Sequence, residues 1–176
     1  HAMNSSGSQI ALGDTQGRMF VVDTSNNEVR QLSGPVGSRV TWMAYSEDDA
    51  WVAAVRRDGS TFAFDAETGI AVNAGLMQCE FEPLHVQLSH RARVLVASGE
   101  RGIAIWRLPA PSPAGLESTR LLAQPEIGLA GTNAVSLSAL TGLLATATLD
   151  GEVRSRRITA APLLTAQSAM QKVGHL

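Results

Sequence analysis

The stretch Met3 to Asp23, MNSSGSQIALGDTQGRMFVVD, realigns without a gap on Tyr45 to Asp65, YSEDDAWVAAVRRDGSTFAFD, each residue standing 42 places before its counterpart. A third copy, Leu88 to Arg107 (LSHRARVLVASGERGIAIWR), needs one deletion, and a fourth, Leu137 to Arg157 (LSALTGLLATATLDGEVRSRR), needs none. Gly17, Gly59, Gly102 and Gly151 mark the register. A repeat spaced by 42, 43 and then 49 residues points to one supersecondary unit that is stacked on its own kind, because a single unit cannot bury its apolar faces alone.

Within each copy, three or four short apolar runs are divided by Gly, Asp, Ser or Pro clusters, the pattern of strands joined by tight hairpins. In the second unit the strands are expected at Val40 to Tyr45, Trp51 to Val55, Thr61 to Phe64 and Ile70 to Asn73. The second strand of a unit is apolar at successive positions, as in Val52 to Val55, Val94 to Ala97 and Leu143 to Ala145. A half-exposed strand alternates, so these sheets are expected to be covered on both faces, as when neighbouring sheets stack.

These repeats resemble WD40 repeats. The matched features are the bend before the second strand (Asn4-Ser5-Ser6-Gly7 and Ser46-Glu47-Asp48-Asp49), the turns Asp58-Gly59 and Asp150-Gly151, and the closing position of the third strand. The resemblance implies an all-β fold, a β-propeller segment of about four blades of four-stranded antiparallel sheet with the first blade truncated. It covers residues 2–168, in units at about 2–33, 38–75, 83–123 and 132–167, leaving 169–176 as a tail and residue 1 as a tag or cut remnant. The closing pairs read Val22-Asp23, Phe64-Asp65, Trp106-Arg107 and Arg156-Arg157, and none is the Trp-Asp of the family. Gly-His occurs only at Gly174-His175. Most of the family's buried His-Ser-Asp-Trp network is therefore missing, and the blades are expected to rely on apolar packing. The longer third interval implies an insertion beside Pro109-Ala110-Pro111-Ser112-Pro113, in a hairpin where an extended proline-rich loop is harmless.

With 44% hydrophobic and 17% charged residues the chain can build a core, unlike a disordered sequence. A net charge of −2 gives no broad basic field for nucleic acid or anionic lipid, and no apolar run is long enough for a spanning helix. Cys79 is the only cysteine, so it reads as a small apolar residue and not as half of a disulfide or zinc site. His1, His85, His90 and His175 have no ligand spacing, and neither a nucleophile elbow nor a phosphate-binding loop is present. The Gly13 to Gly17 and Gly99 to Gly102 stretches read as turns in which glycine supplies positive φ. No catalytic, cofactor or metal residue is assigned. Asp48-Asp49 and Glu80-Glu82 read as solvated acids near strand ends.

The Arg-rich places are Arg56-Arg57, Arg101 and Arg154-Ser155-Arg156-Arg157. Arg56, Arg57 and Arg101 align in the hairpins between second and third strands, which in WD40-like propellers open on one rim of the channel. They are expected to be solvated there, so that alanine at Arg56 and Arg57 leaves folding nearly unchanged. Trp42, on an innermost strand, is a candidate stacking surface at the channel mouth, or else a buried side chain between blades. Arg156-Arg157-Ile158-Thr159 has the shape of a basophilic kinase substrate, a pattern short enough to arise by chance, and the sequon at Asn4 sits in a tight bend.

The expected function is a protein-protein interaction scaffold, a piece of a larger intracellular protein, cytoplasmic rather than nuclear. Its rim would bind a protein or peptide, acidic or phosphorylated, through Arg56, Arg57, Arg101 and Trp42. The alternative is a structural blade-stacking module without a peptide pocket. In either case the open faces of the end blades are expected to be covered by a second copy, a missing propeller half or an additional blade set.

Overall fold

A computed structural model of the chain describes residues 1–72, 77–108, 132–138, 141–148, 150–158 and 171–175. Strands β1 (Ala2–Met3), β2 (Gln9–Gly13), β3 (Met19–Asp23) and β4 (Val29–Gln31) form blade 1. Blade 2 follows as β5 (Val40–Tyr45), β6 (Trp51–Arg56), β7 (Ser60–Asp65) and β8 (Met77–Gln78). Blade 3 contains β9 (His85–Ser89), β10 (Val94–Gly99) and β11 (Gly102–Arg107), and blade 4 contains β12 (Thr132–Ser138), β13 (Leu143–Thr148), β14 (Glu152–Arg157) and β15 (Gln171–His175). Every pairing is antiparallel between sequential strands. This is the propeller segment implied by the repeats, with a two-residue first strand in the truncated blade. The insertion beside Pro109 and the fourth strand of the third unit lie outside the described residues. Among the described residues no helix is long and apolar enough to cross a membrane.

Two boundaries differ from the expectation. Of the run Ile70 to Asn73, expected as the fourth strand of blade 2, Asn73 lies outside the described residues and the rest is not part of the regular strand. Only Ala71 bridges to Phe64, and the regular pairing comes later, at Thr61 with Met77 and Ser60 with Gln78. Around that bridge the Asp65 amide donates to the Ile70 carbonyl and the Val72 amide to the Ala63 carbonyl, so the run does lie along β7 just after the positive-φ turn at Gly69. Within 169–176, expected as a tail, Gln171–His175 pairs with β14 as the outer strand of blade 4. An outer strand needs backbone hydrogen bonds on one edge only and little apolar alternation, so polarity was a poor guide to its place.

The turn chemistry repeats with the strands. Asn4, Ser46, Ser89 and Ser138 occupy one aligned position, and each accepts an amide hydrogen bond across the first hairpin, from Gln9, Trp51, Ala92 and Thr141 respectively. Each hairpin also has one residue with positive φ: Gly7, Asp49, Arg93 or Gly142. In the second hairpins, Gly17, Gly59, Gly102 and Gly151 all have positive φ, as the register glycines require.

The core lies between blades, in three apolar clusters among the described residues. Ala11, Met19 and Val21 of blade 1 meet Val52, Ala54, Phe62 and Phe64 of blade 2. Ala53, Val55 and Ala63 on the other face of blade 2 meet Leu95, Ala97, Ala104 and Trp106. Val94, Val96 and Ile103 of blade 3 meet Leu144, with Val135 and Leu137 alongside. The alternation along β6 and β10 sends odd and even residues to opposite neighbours, and all six residues of each strand are buried. Covering both faces holds for these strands. It does not hold for β13, where Leu144 is buried but Leu143 is exposed. Cys79 is buried beside the Thr61 hydroxyl, and burial pushes its thiol up to about 11, as befits a core residue.

Candidate functional site

The second hairpins lie against the segments that lead into the innermost strands, as where the Gly37 amide donates to the Gln16 carbonyl and the Leu84 amide to the Ser98 carbonyl. There β5 begins with a bulge: Val40 pairs with Arg56 and Trp42 with Val55, leaving Thr41 as the extra residue. The Thr41 hydroxyl is held by the Val55 and Pro83 carbonyls at 3.3 Å each, which ties the bulge to the lead-in of blade 3. Bulges redirect side chains, and here Val40 and Met43 both join the blade 1–2 cluster while Trp42 is turned out, 41% exposed. The aligned residue of blade 3 is His85. Its ring meets the indole edge-on, with centroids 4.7 Å apart and planes at 78°. Exposed Leu84 and Val36 occur in the lead-ins of blades 3 and 2.

Arg57 is exposed on this rim and pairs with Glu82 at 3.4 Å. An ion pair that open to water is weak and screened by salt. Arg101, in the β10–β11 hairpin, is exposed as well. The same hairpin in blade 1 is neutralised internally, since Asp14 accepts from the Gln16 and Arg18 amides at 2.8 Å and from Arg18 Nε at 2.6 Å.

Arg56 is not a solvated rim residue. Only 2% exposed, it reaches back into blade 1, donates to the Gly17 carbonyl at 2.7 Å and to the Pro35 carbonyl, and lies 4.6 Å over the Phe62 ring. Burial pulls its guanidinium below the usual arginine value, while Asp58 opposes the shift. As the last residue of β6 it continues the inward face of the strand, which turn-position counting could not show. Gly17 has to be glycine beneath it: besides its positive φ of 78°, an added Cβ would stand 2.6 Å from the Ser38 carbonyl oxygen and 2.9 Å from Arg56 Nε. The third Arg-rich place runs along β14, where Arg154 pairs with Glu152 and Arg156 is partly buried, so it does not join the hairpin rim.

At the opposite end Asp48 and Asp49, which read as solvated, join Glu47 in holding the blades together. The Ser5 amide of blade 1 donates to both Asp49 carboxylate oxygens at 2.9 and 3.0 Å. Glu47 accepts from the Ser89 hydroxyl and from the amides of His90 and Arg91 in blade 3. Asp48 is pushed up by partial burial but pulled further down by hydrogen bonds from His90, Ser46 and the Ala50 amide, so its carboxyl sits below the ordinary 3.8. It is therefore ionised, and His90 Nδ1 is the donor across their 2.6 Å contact. The same imidazole packs edge-on against Trp51. A sequence signal did exist: Glu47 and Asp48 stand in one aligned position range with the donors Ser5 and His90 of the neighbouring units. Between the innermost strands, a cleft of about 240 Å³ is lined by Tyr45, Glu47, Gln87 and Leu137 among others. Its amide is already occupied, since Gln87 bridges the Val135 carbonyl and the Leu137 amide. Among the described residues no three His, Cys, Asp or Glu side chains converge as a metal site would require.

No family model and no curated protein sequence matches the chain. Solved structures do. The β-propeller domain of Cps50 (Swd1) from Myceliophteria thermophila matches over 90% of this chain and 56% of its own, at 16% identity and a TM-score of 0.65. Sqt1 from Chaetomium thermophilum matches over 85% of this chain and 40% of its own, at 24% identity and a TM-score of 0.63. The computationally designed Ika4 protein matches over 90% and 89%, at 19% identity and a TM-score of 0.67. The fold these matches show is a β-propeller segment, and the chain spans about half the length of the two natural propellers.

Proposed function

We propose that this WD40-like propeller segment is a protein-interaction scaffold that binds an acidic or phosphorylated peptide on its hairpin rim and carries out no chemistry of its own. The observation that supports this most is Trp42, an indole turned to solvent beside a bulge and braced by His85. An exposed aromatic anchor beside replaceable charge pairs is the composition that concentrates binding energy at interfaces. Arg57 and Arg101 supply the forked donors that favour carboxylate and phosphate. Arg56 is left out, because its guanidinium is buried in blade 1, where Nη2 donates to the Gly17 and Pro35 carbonyls.

The test uses the three tryptophans as reporters. Trp51 and Trp106 are buried, so Trp42 dominates any change that a ligand causes in solvent-facing fluorescence. Titration with a glutamate-rich peptide and with its phosphoserine counterpart should shift that signal. Trp42→Ala and the pair Arg57→Ala/Arg101→Ala should each weaken binding by about 1–3 kcal/mol, and rising salt should weaken it further. Equal affinity in all variants, without salt dependence, would place the binding face elsewhere.

A further inference from the structure

The cleft between the innermost strands joins apolar walls to an anchored carboxylate. Ala44 of β5, Leu88 of β9 and Leu137 of β12 supply the walls, one from each of three consecutive blades, and Glu47 and Ser89 supply the polar side. At about 240 Å³ the cleft falls below the about 300–1,000 Å³ of pockets for drug-sized molecules, and it suits a single side chain. The Gln87 amide is turned to β12, where it bonds the Val135 carbonyl and the Leu137 amide. Glu47 is exposed but fixed. Its Oε1 accepts from the Ser89 hydroxyl at 3.2 Å and the Arg91 amide at 3.0 Å, and its Oε2 accepts from the His90 amide at 3.2 Å. Among the described residues no cation forms an ion pair with it, and Arg91 reaches it through the backbone amide.

We propose that this cleft takes one lysine side chain of a protein partner, with its ammonium on Glu47 and its methylene stem along Ala44, Leu88 and Leu137. A carboxylate offers about four lone-pair sites. Blade 3 fills three of them, both sites on Oε1 included, so one remains, on Oε2. A bidentate arginine fork requires a site on each oxygen, whereas an ammonium requires one in all. Lysine lays its stem on apolar surface and keeps its head at the water boundary, which is where Glu47 stands. A neutral apolar side chain would desolvate the carboxylate without pairing it. Because blade 3 already holds Glu47, little side-chain freedom is lost on binding. The cleft lies toward the end of β5 that leads to Glu47 and Trp42 toward its start, so lysine binding here is independent of any peptide at the rim.

The experiment titrates the isotope-labelled 176-residue chain with the end-blocked peptide Gly-Gly-Lys-Gly-Gly and follows its amide signals by NMR. Sister peptides carry Nε-acetyllysine, arginine or glycine at the centre, the last with its amino terminus unblocked. The lysine peptide should bind saturably in the millimolar range and move the His90 and Arg91 amides. It should bind about fivefold more tightly than the acetyllysine peptide, the upper end for a solvent-exposed ion pair, and more tightly than the arginine peptide. Glu47→Gln, which removes the charge, and Ala44→Leu, which fills the cleft, should each weaken binding at least as much. A wild-type spectrum that does not move would overturn the proposal. So would equal binding of lysine and acetyllysine, arginine bound at least as tightly as lysine, the free terminus of the glycine peptide bound as tightly as lysine, shifts away from the blade 3 hairpin, or unchanged affinity in either variant. If a variant alters the spectrum beyond the hairpins of blades 2 and 3, the wild type with the lysine and acetyllysine peptides decides alone.

Discussion

Blades 2 and 3 and blades 1 and 4 are written in the same strand pattern but differ in what becomes of it. In β6 and β10 every residue is buried, whereas in β2 only Ala11 and in β13 only Leu144 and Thr146 are buried, with Leu12 and Leu143 exposed. The difference is one of neighbours and not of composition, since Ile10, Leu12, Phe20 and Val22 are as apolar as Val52, Ala54, Phe62 and Phe64. A two-faced apolar strand thus states a demand for two neighbours, and only the middle of the stack meets it within the chain.

The largest expected effect tests this contrast directly. Phe64→Ala, at a fully buried position between blades 1 and 2, should cost about 3–5 kcal/mol through lost burial and the cavity left behind. Phe20→Ala in the aligned open face should cost no more than about 1 kcal/mol in dilute protein. Urea unfolding of the two variants measures both, and equal losses would mean that the end face is packed in the free chain.

Next comes the pair of adjacent arginines. Arg56→Ala strips the Gly17 and Pro35 carbonyls of a charged donor and should cost about 2–3 kcal/mol. Arg57→Ala should stay within about 0.5 kcal/mol of wild type. Thermal and urea unfolding of the single variants distinguish the buried staple from the rim residue.

A smaller effect is expected from Asp49, which combines positive φ with a carboxylate that reaches Ser5. Asp49→Gly keeps the backbone conformation and removes the carboxylate, and should cost about 1 kcal/mol. Asp49→Ala adds backbone strain and should cost up to about 1 kcal/mol more. If the two variants are equally stable, the left-handed turn imposes no cost at this position.

The smallest effect is on pH dependence. The folded-state carboxyl of Asp48 is lowered, so the stability it contributes is fully present above its ordinary 3.8 and is lost as pH falls below that toward the lowered value. Asp48→Asn should therefore lose less melting temperature than wild type on acidification through this window, while differing little from its own neutral value. Parallel acid limbs would show that the His90 contact between blades 2 and 3 carries no net stabilisation.

Much of the fold was legible because it is written repeatedly. The offset alignment located the hairpin glycines and all the second and third strands, and these recur in the structure with positive φ at Gly17, Gly59, Gly102 and Gly151. The outer strands were not legible: Gln171–His175 and Met77–Gln78 are short or polar, and their pairing depends on which backbone edge lies free beside them. The exposure of Arg57 and Arg101 was legible by alignment alone, whereas the alignment left Trp42 open between a stacking surface and a buried side chain. Arg56 was misread because one residue separates the end of a buried strand from a solvated turn, and that step reverses the direction of the side chain.

What the sequence by itself determined is the unit, its repeat and its demand for apolar neighbours on both faces, since period-two patterning and turn residues are local properties. Only the tertiary structure decided which of those faces are satisfied, that Glu47, Asp48 and Asp49 bind the adjacent blades, and that the bulge at Thr41 turns Trp42 outward. Each of these depends on what stands opposite in space, and residues some 42 places apart become opposite only after the blades have stacked.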